Sequence, residues 1–144
     1  MRKPFLLEEK KRRGIENVVF LDPVPKKEIF QYILASDMGA SILKKADTFK
    51  TIYSNKTFDY MSCKKPVLMA IDGVSKELVE ESKGGSYVEP ENAGHYQEVI
   101  LTYLNNPEKS IEEGNNGYGY VKEHFDRRVL SSKYLQLIHE KVLN

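Results

Sequence analysis

Four short apolar runs recur along the chain, separated by stretches of helical spacing. Asn17–Leu21 reads NVVFL, Met38–Leu43 reads MGASIL, Val67–Ile71 reads VLMAI, and Ser86–Val88 is the last and shortest. Turn residues bound each run, which predicts strands buried on both faces. Pro4 and Gly14 bracket a first helix, Pro suiting a helix start and Gly its end. Pro25 opens a second, where Ile29, Phe30, Ile33 and Leu34 recur at spacings of three and four and form one apolar face.

Ser54 or Asn55 can cap a helix over 56–63, with Lys64 and Lys65 in its last turn and Pro66 stopping it. The cap side chains accept from unpaired backbone N–H groups, and the lysines oppose the negative end of the dipole. Ser75 caps a further helix with Leu78 and Val79 inward, ended by Gly84 and Gly85. Residues 90–105 read as helix, with Tyr96, Val99, Ile100, Tyr103 and Leu104 on one side. Pro107 opens another, weakened by Gly114, Gly117 and Gly119. Asp126 caps the last, with Val129, Leu130, Tyr134, Leu137, Ile138 and Val142 inward.

Wholly apolar strands alternating with helices predict an α/β fold, a doubly wound parallel sheet covered on both faces. The length, 144 residues, suits one domain with a core of ordinary size. On such sheets ligands bind beyond the carboxyl ends of the strands. The loops 22–25, 44–55 and 72–75 are therefore the candidates for chemistry.

Charge narrows the choices. The chain has 22 basic and 21 acidic residues, a net of +1, which argues against a nucleic-acid partner. The run Lys10 to Arg13 is offset by Glu8 and Glu9 and reads as a solvated helix face. A single cysteine, Cys63, cannot form an internal disulfide, which points to a reducing compartment. There is no apolar run of membrane-spanning length and no signal-peptide core.

The loop before residue 56 leads into a helix N-terminus, whose free N–H groups and positive dipole welcome an anion. Lys56, in the first turn, opposes the dipole. Either it points to water or a phosphate neutralises it. Asp59, one turn on, is either a solvated acid or a carboxylate that takes the hydroxyls of a ribose. Asp72, Gly73, Ser75 and Glu77 form either an ordinary strand-to-helix turn or a second wall of the site. His95, His124 and His139 share no metal-ligand spacing with one another or with Cys63, so no metal site is assigned. GNNGYG at 114–119 follows no strand and is not a phosphate loop. No catalytic residue is assigned.

Five segments, in this order, resemble the C-terminal half of family 4 glycosyltransferases, retaining enzymes of the GT-B fold: NVVFLDPVP, LASDMGASIL, SNKTFDYMSCKKPVLMAIDG, KELVEESKGGSYVEPEN and GYGYVKEHFDRRVL. The resemblance implies a Rossmann-like domain that binds a nucleotide-sugar donor, UDP-linked, for bacterial surface polysaccharide of the capsule or O-antigen type. It needs no cofactor. It implies that Asp59, where the family has Glu, holds the ribose. Thr51, at the position of the family's other Glu, touches the sugar. Tyr53, Ser54, Asn55 and Lys56 lie along the sugar and diphosphate, and the backbone of Val24 meets the base. Lys64 stands where the family usually has Gly.

The family's domain opens on a strand bearing Arg and Lys for the diphosphate, and this chain begins after that point. The resemblance therefore implies one partial donor-binding domain over 1–144, with its first strands and the N-terminal acceptor domain missing. Such a piece is inactive alone, and its open sheet edge invites a homo-oligomer. A cytoplasmic location, with peripheral attachment to the inner membrane allowed, accompanies this reading. The rival readings are a standalone α/β nucleotide-binding or interaction domain without turnover, and part of a nucleotide-sugar epimerase.

Overall fold

The computed structural model describes residues 3–142. Three strands, β1 (Gly39–Ile42), β2 (Val67–Ala70) and β3 (Gly85–Tyr87), form one parallel sheet in the order β1-β2-β3. Gly39 pairs with Val67, and Val67 with Gly85. Seven helices are described: α1 (Lys3–Arg12), α2 (Lys26–Ala35), α3 (Asn55–Ser62), α4 (Val74–Ser82), α5 (Ala93–Asn105), α6 (Pro107–His124) and α7 (Arg127–Val142). A 3-10 turn, Asp47–Thr51, interrupts the loop between β1 and α3.

The core sits on β2. Every residue of β2 and the following Ile71 is buried, and Met61, Leu78, Val79 and Val121 close over them. Burying a side chain of this size contributes about 1.5–3 kcal/mol, so β2 anchors the elements on either side. The parallel sheet and its flanking helices are the expected architecture.

Five expectations are corrected. Of the three strands only β2 is buried on both faces; β1, at the sheet edge, alternates buried and exposed, and β3 is half-buried. NVVFL forms no strand: Val19 is 75% and Leu21 61% exposed. A strand needs a neighbour to take up its backbone donors and acceptors, and among the described residues none pairs with 17–21. α7 forms after its Asp126 cap, where Asp126 Oδ1 accepts from Arg128 N at 2.8 Å. Its apolar residues are not inward, however. From Arg127 to Lys141 only Ile138 is even half-buried. Beyond its first turn, which lines the cavity beside α3, the helix is exposed along its length apart from Ile138 among the described residues. The side chain of Val142 lies outside the described residues. On α5 only Tyr103 is buried; Ile100 and Leu104 face out. On α2 Leu34 faces out, while Ile33 is buried.

The glycines of α6 do not interrupt it; the helix runs 18 residues unbroken. Gly114 and Gly117 are buried because α6 crosses the body of the domain there. A Cβ on Gly114 would meet the Lys64 carbonyl oxygen at 2.1 Å, and one on Gly117 would meet Met61 Cγ at 3.1 Å. The propensity cost of glycine is the condition for this close crossing. Below that crossing, Lys64 itself has φ +57°, a left-handed conformation that disfavours any residue with a Cβ.

Candidate functional site

β1 ends at Ile42 and the chain returns to the sheet through residues 43–54. What fixes this loop is a set of hydroxyls. Thr57 Oγ1 donates to Ser41 Oγ at 3.2 Å, and Ser41 Oγ donates to Ser54 Oγ at 2.9 Å. Ser75 Oγ donates to the Ile52 carbonyl at 2.9 Å and accepts from Ser54 N at 3.3 Å. Ser41, Thr57 and Ser75 are buried, so each bond replaces water that the group has lost.

The consequence reaches α3. Ser54 occupies its cap position, but the Ser54 side chain is taken by Ser41 and makes no capping bond. The first turn of α3 is left without a side-chain cap, with Asn55 and Lys56 exposed on it. Ser75 was expected to cap α4. Gly73 stands there instead, at φ +75°, and Ser75 is the buried tie to the neighbouring loop. Only glycine fits position 73, because a Cβ would meet the Lys50 carbonyl oxygen at 2.1 Å. The next loop is fixed by Tyr87, whose hydroxyl donates to Asp72 Oδ1 at 2.5 Å. Burial, and then that carboxylate, push the Tyr87 hydroxyl well above its ordinary pKa of 10.0.

Asp59 lies one turn into α3, its side chain 26% exposed, with Lys26 Nζ of α2 at 3.7 Å from Oδ1. Beside α3 runs a cavity of about 650 Å³. Asn55, Phe58 and Asp59 line it on one side, Lys122, Phe125 and Arg127 on the other, with Lys26 at its rim. An aromatic cluster clamps the two walls together. Phe125 stands 5.6 Å from Tyr53 and 5.0 Å from Phe58, centroid to centroid. Volume alone does not mark the site. A cavity of about 720 Å³ lies at the amino ends of β1 and β2, with Met38, Pro66, Ile100 and Leu104 in its lining. That is the wrong end of a parallel sheet for a ligand.

Of the residues singled out in the sequence, Asn55 and Asp59 share this cavity. Val24 is half-buried, two residues before Lys26. Thr51 ends the 3-10 turn and is exposed. The Tyr53 ring packs on Phe58 and Phe125, while the Ser54 hydroxyl is engaged by Ser41. Lys56 is exposed on the first turn of α3, outside the cavity lining. Lys26 was overlooked, although the argument applied to Lys56 would have found it: both are cations in the first turn of a helix. Arg127, the first residue of α7, carried the same signal; Lys122, in the last turn of α6, did not. Among the described residues, no group of three or more His, Cys, Asp or Glu could hold a metal ion. No helix there is long and apolar enough to cross a membrane.

A parallel sheet with an uncapped helix start following its first strand is the frame in which α/β domains hold ligands. The chain belongs to the family of glycosyl transferases group 1, whose model matches residues 2–106. Among solved structures it is similar to HepE of Anabaena in complex with UDP-glucose, at 23% identity and a TM-score of 0.80, over 95% of this chain and 36% of that one. HepE in complex with UDP and glucose matches with a TM-score of 0.81, also at 23% identity, over the same shares of the two chains. Sucrose-phosphate synthase of Thermosynechococcus elongatus matches at 20% identity and a TM-score of 0.76, over 96% and 33%. At these identities the likeness establishes the fold, the Rossmann-like C-terminal domain of GT-B proteins. The chain spans about a third of the length of these proteins. No curated protein matches it.

Proposed function

We propose that the chain is the donor-binding part of a retaining family 4 glycosyltransferase that uses a UDP-linked sugar. The observation that carries this reading is the shared cavity of Asn55 and Asp59. One turn of helix separates an uncapped N-terminus, suited to a diphosphate, from a carboxylate able to take two ribose hydroxyls. The hydroxyl ties from Ser41 and Ser75 hold that helix start in place before any ligand arrives, which lowers the ordering cost of binding. HepE has been solved with UDP-glucose bound, which supports the same donor class here.

The rest of the proposal follows the resemblance. Thr51 meets the sugar and Val24 the base. Residues 53–56 border the sugar and diphosphate, with Lys56 reaching the phosphates from its exposed position. The acceptor is a bacterial surface-polysaccharide precursor, recognised outside these residues, so the chain alone does not turn over donor. It works in the cytoplasm, against the inner membrane where such precursors are assembled. Among the described residues β1 has no neighbour on its outer side, which supports self-association through that edge.

Saturation-transfer NMR with UDP, ADP and GDP tests the reading. UDP should show transfer to its ribose and base protons, and Asp59→Ala should weaken it at least roughly tenfold, the loss of a charge-assisted pair of hydrogen bonds. No binding of any nucleotide would refute donor recognition. UDP binding unchanged in Asp59→Ala would refute the ribose role.

A further inference from the structure

Glu89 and His95 flank the turn that joins β3 to α5, and polar contacts tie that turn into a ring. Glu89 N donates to His95 Nδ1 at 3.1 Å. His95 N donates to Asn92 Oδ1 at 3.1 Å, and Asn92 Nδ2 donates to Glu89 Oε2 at 3.0 Å. Lys45 Nζ, from the loop after β1, lies 3.7 Å from Glu89 Oε1. Within the turn Glu91 is held at φ +66°, a left-handed conformation that costs any residue with a Cβ. None of these residues lines the cavity beside α3. A backbone N–H can only donate, so His95 Nδ1 must be the bare nitrogen, with the proton of the imidazole on Nε2. The contacts therefore close only around a neutral imidazole. A protonated one carries N–H at both nitrogens. It loses Glu89 N and turns its charge to the Glu89 carboxylate beside it.

We propose that His95 is a pH-sensitive latch, which closes the β3–α5 turn onto the loop after β1 when neutral and releases both when it takes up a proton. The latch stands apart from the donor-site reading and does not depend on it. Histidine is the side chain that changes charge between about pH 5 and 8. The group it turns to is ready over that range: the Asn92 amide, and then Lys45, hold the Glu89 carboxyl below the usual carboxylate range. A carboxylate engaged by the imidazolium is drawn away from Lys45, which is how a proton on α5 reaches the loop after β1. The contacts that hold Glu91 left-handed go with it, so the open turn is a second arrangement rather than a loosened copy of the first. Other groups surround the switch. Lys44, Glu91 and Tyr96 share a cavity at the end of β1, and Glu98 follows one turn along α5. Lys44 opposes an imidazolium, while Glu91 and Glu98 favour it. Burial raises the Tyr96 hydroxyl above its ordinary value, so that group stays neutral throughout.

Proton–nitrogen NMR of the intact chain, titrated from about pH 8 to 5, tests the latch against the ring Cε1–H signals of His95, His124 and His139. The amides of Glu89, Glu91 and Lys45 should shift with the midpoint of the His95 ring and not with those of the other two. The Glu89 amide proton should move upfield as its hydrogen bond is lost. In His95→Asn, whose amide oxygen accepts without taking up a proton, all three amides should stay flat. In Lys45→Met the Glu89 amide should still move, while the loop after β1 does not. Circular dichroism at both ends of the range checks that each variant folds. A Glu89 amide that stays flat while the His95 ring titrates, or that moves equally in His95→Asn, would overturn the latch. A Lys45 amide that ignores the His95 midpoint in the wild type would overturn its hold on the loop after β1.

Discussion

Gly114 and Gly119 lie on the same helix five residues apart, and alanine at each should move stability in opposite directions. A Cβ at Gly119 has nothing within 4 Å. There Ala lowers the backbone entropy of the unfolded chain and should stabilise by about 0.5–1 kcal/mol. At Gly114 the same atom meets the Lys64 carbonyl oxygen at 2.1 Å and its carbonyl carbon at 2.8 Å. Ordinary contact begins at 3.4 Å, so α6 would have to withdraw by roughly 1.3 Å, the difference between 3.4 and 2.1. The obstacle is backbone, in a turn already held left-handed at Lys64, and cannot rotate aside. Withdrawal also lifts Gly117 and Val121 from Met61 and the core. Overpacking of this kind costs about 3 kcal/mol, the upper part of the usual range, and helix propensity returns about 1. The expected net loss is about 2 kcal/mol. Thermal and urea unfolding followed by far-UV circular dichroism reads both variants. For a domain near this size each kcal/mol moves the midpoint by about 2–4 °C. Gly114→Ala should fall by roughly 4–8 °C while Gly119→Ala rises by a few. Shifts of the same sign, or a Gly114→Ala at least as stable as wild type, would refute the close crossing.

Lys64→Gly should stabilise by about 1 kcal/mol, because its φ of +57° suits glycine. The gain is reduced by the lost contact of its ammonium with the Tyr118 ring at 5.2 Å, and urea midpoints that fall would count against the strain. Ser75→Ala removes both ties to residues 52–54 and should cost about 1–2 kcal/mol. It should also weaken UDP, and affinity left intact would show that the loop needs no such restraint. The hydroxyls of Tyr87 and Tyr103 are held protonated first by burial and then by Asp72 and Glu113. Their pKa values are raised on folding, so their contribution is whole below pH 10 and is lost as pH rises beyond it. Ultraviolet titration should show part of the nine tyrosines ionising only as circular dichroism is lost. One step for all of them near pH 10, with the fold intact, would contradict this.

Burial on both faces was legible only for β2, which reads apolar throughout, while β1 alternates buried and exposed and β3 is half-buried; helix ends were legible where a cap made its bond, as at Asp126. Asn17–Leu21 misled because an apolar run states a preference for burial and says nothing about whether a neighbour exists to pair with. The α7 pattern misled likewise. For α6 the pattern told half: a glycine costs helix propensity, but at Gly114 it is also what lets the helix approach Lys64. Asp59 and the α3 start were readable from local spacing, since both lie within one element. Lys26 was readable locally as a first-turn cation, but that it and the α6–α7 corner meet at one cavity depends on tertiary contacts, from positions 33 residues before Asp59 and 63 or more after it.

Among the described residues β1 is unpaired on its outer side, which bears on how the chain can be handled. Ala40 and Ile42 project exposed from one face of this strand. Asp37 precedes it and Lys44 and Lys45 follow. Natural sheets use such charges to deter growth from an edge, but here they flank the strand without interrupting it. Salt at physiological strength screens exposed charges beyond about 8 Å, so the deterrent fades in the buffers chosen to keep proteins apart. Turbidity during concentration should then start at this strand, and a lysine at Ala40 would delay it without touching the Ser41–Ser54 tie.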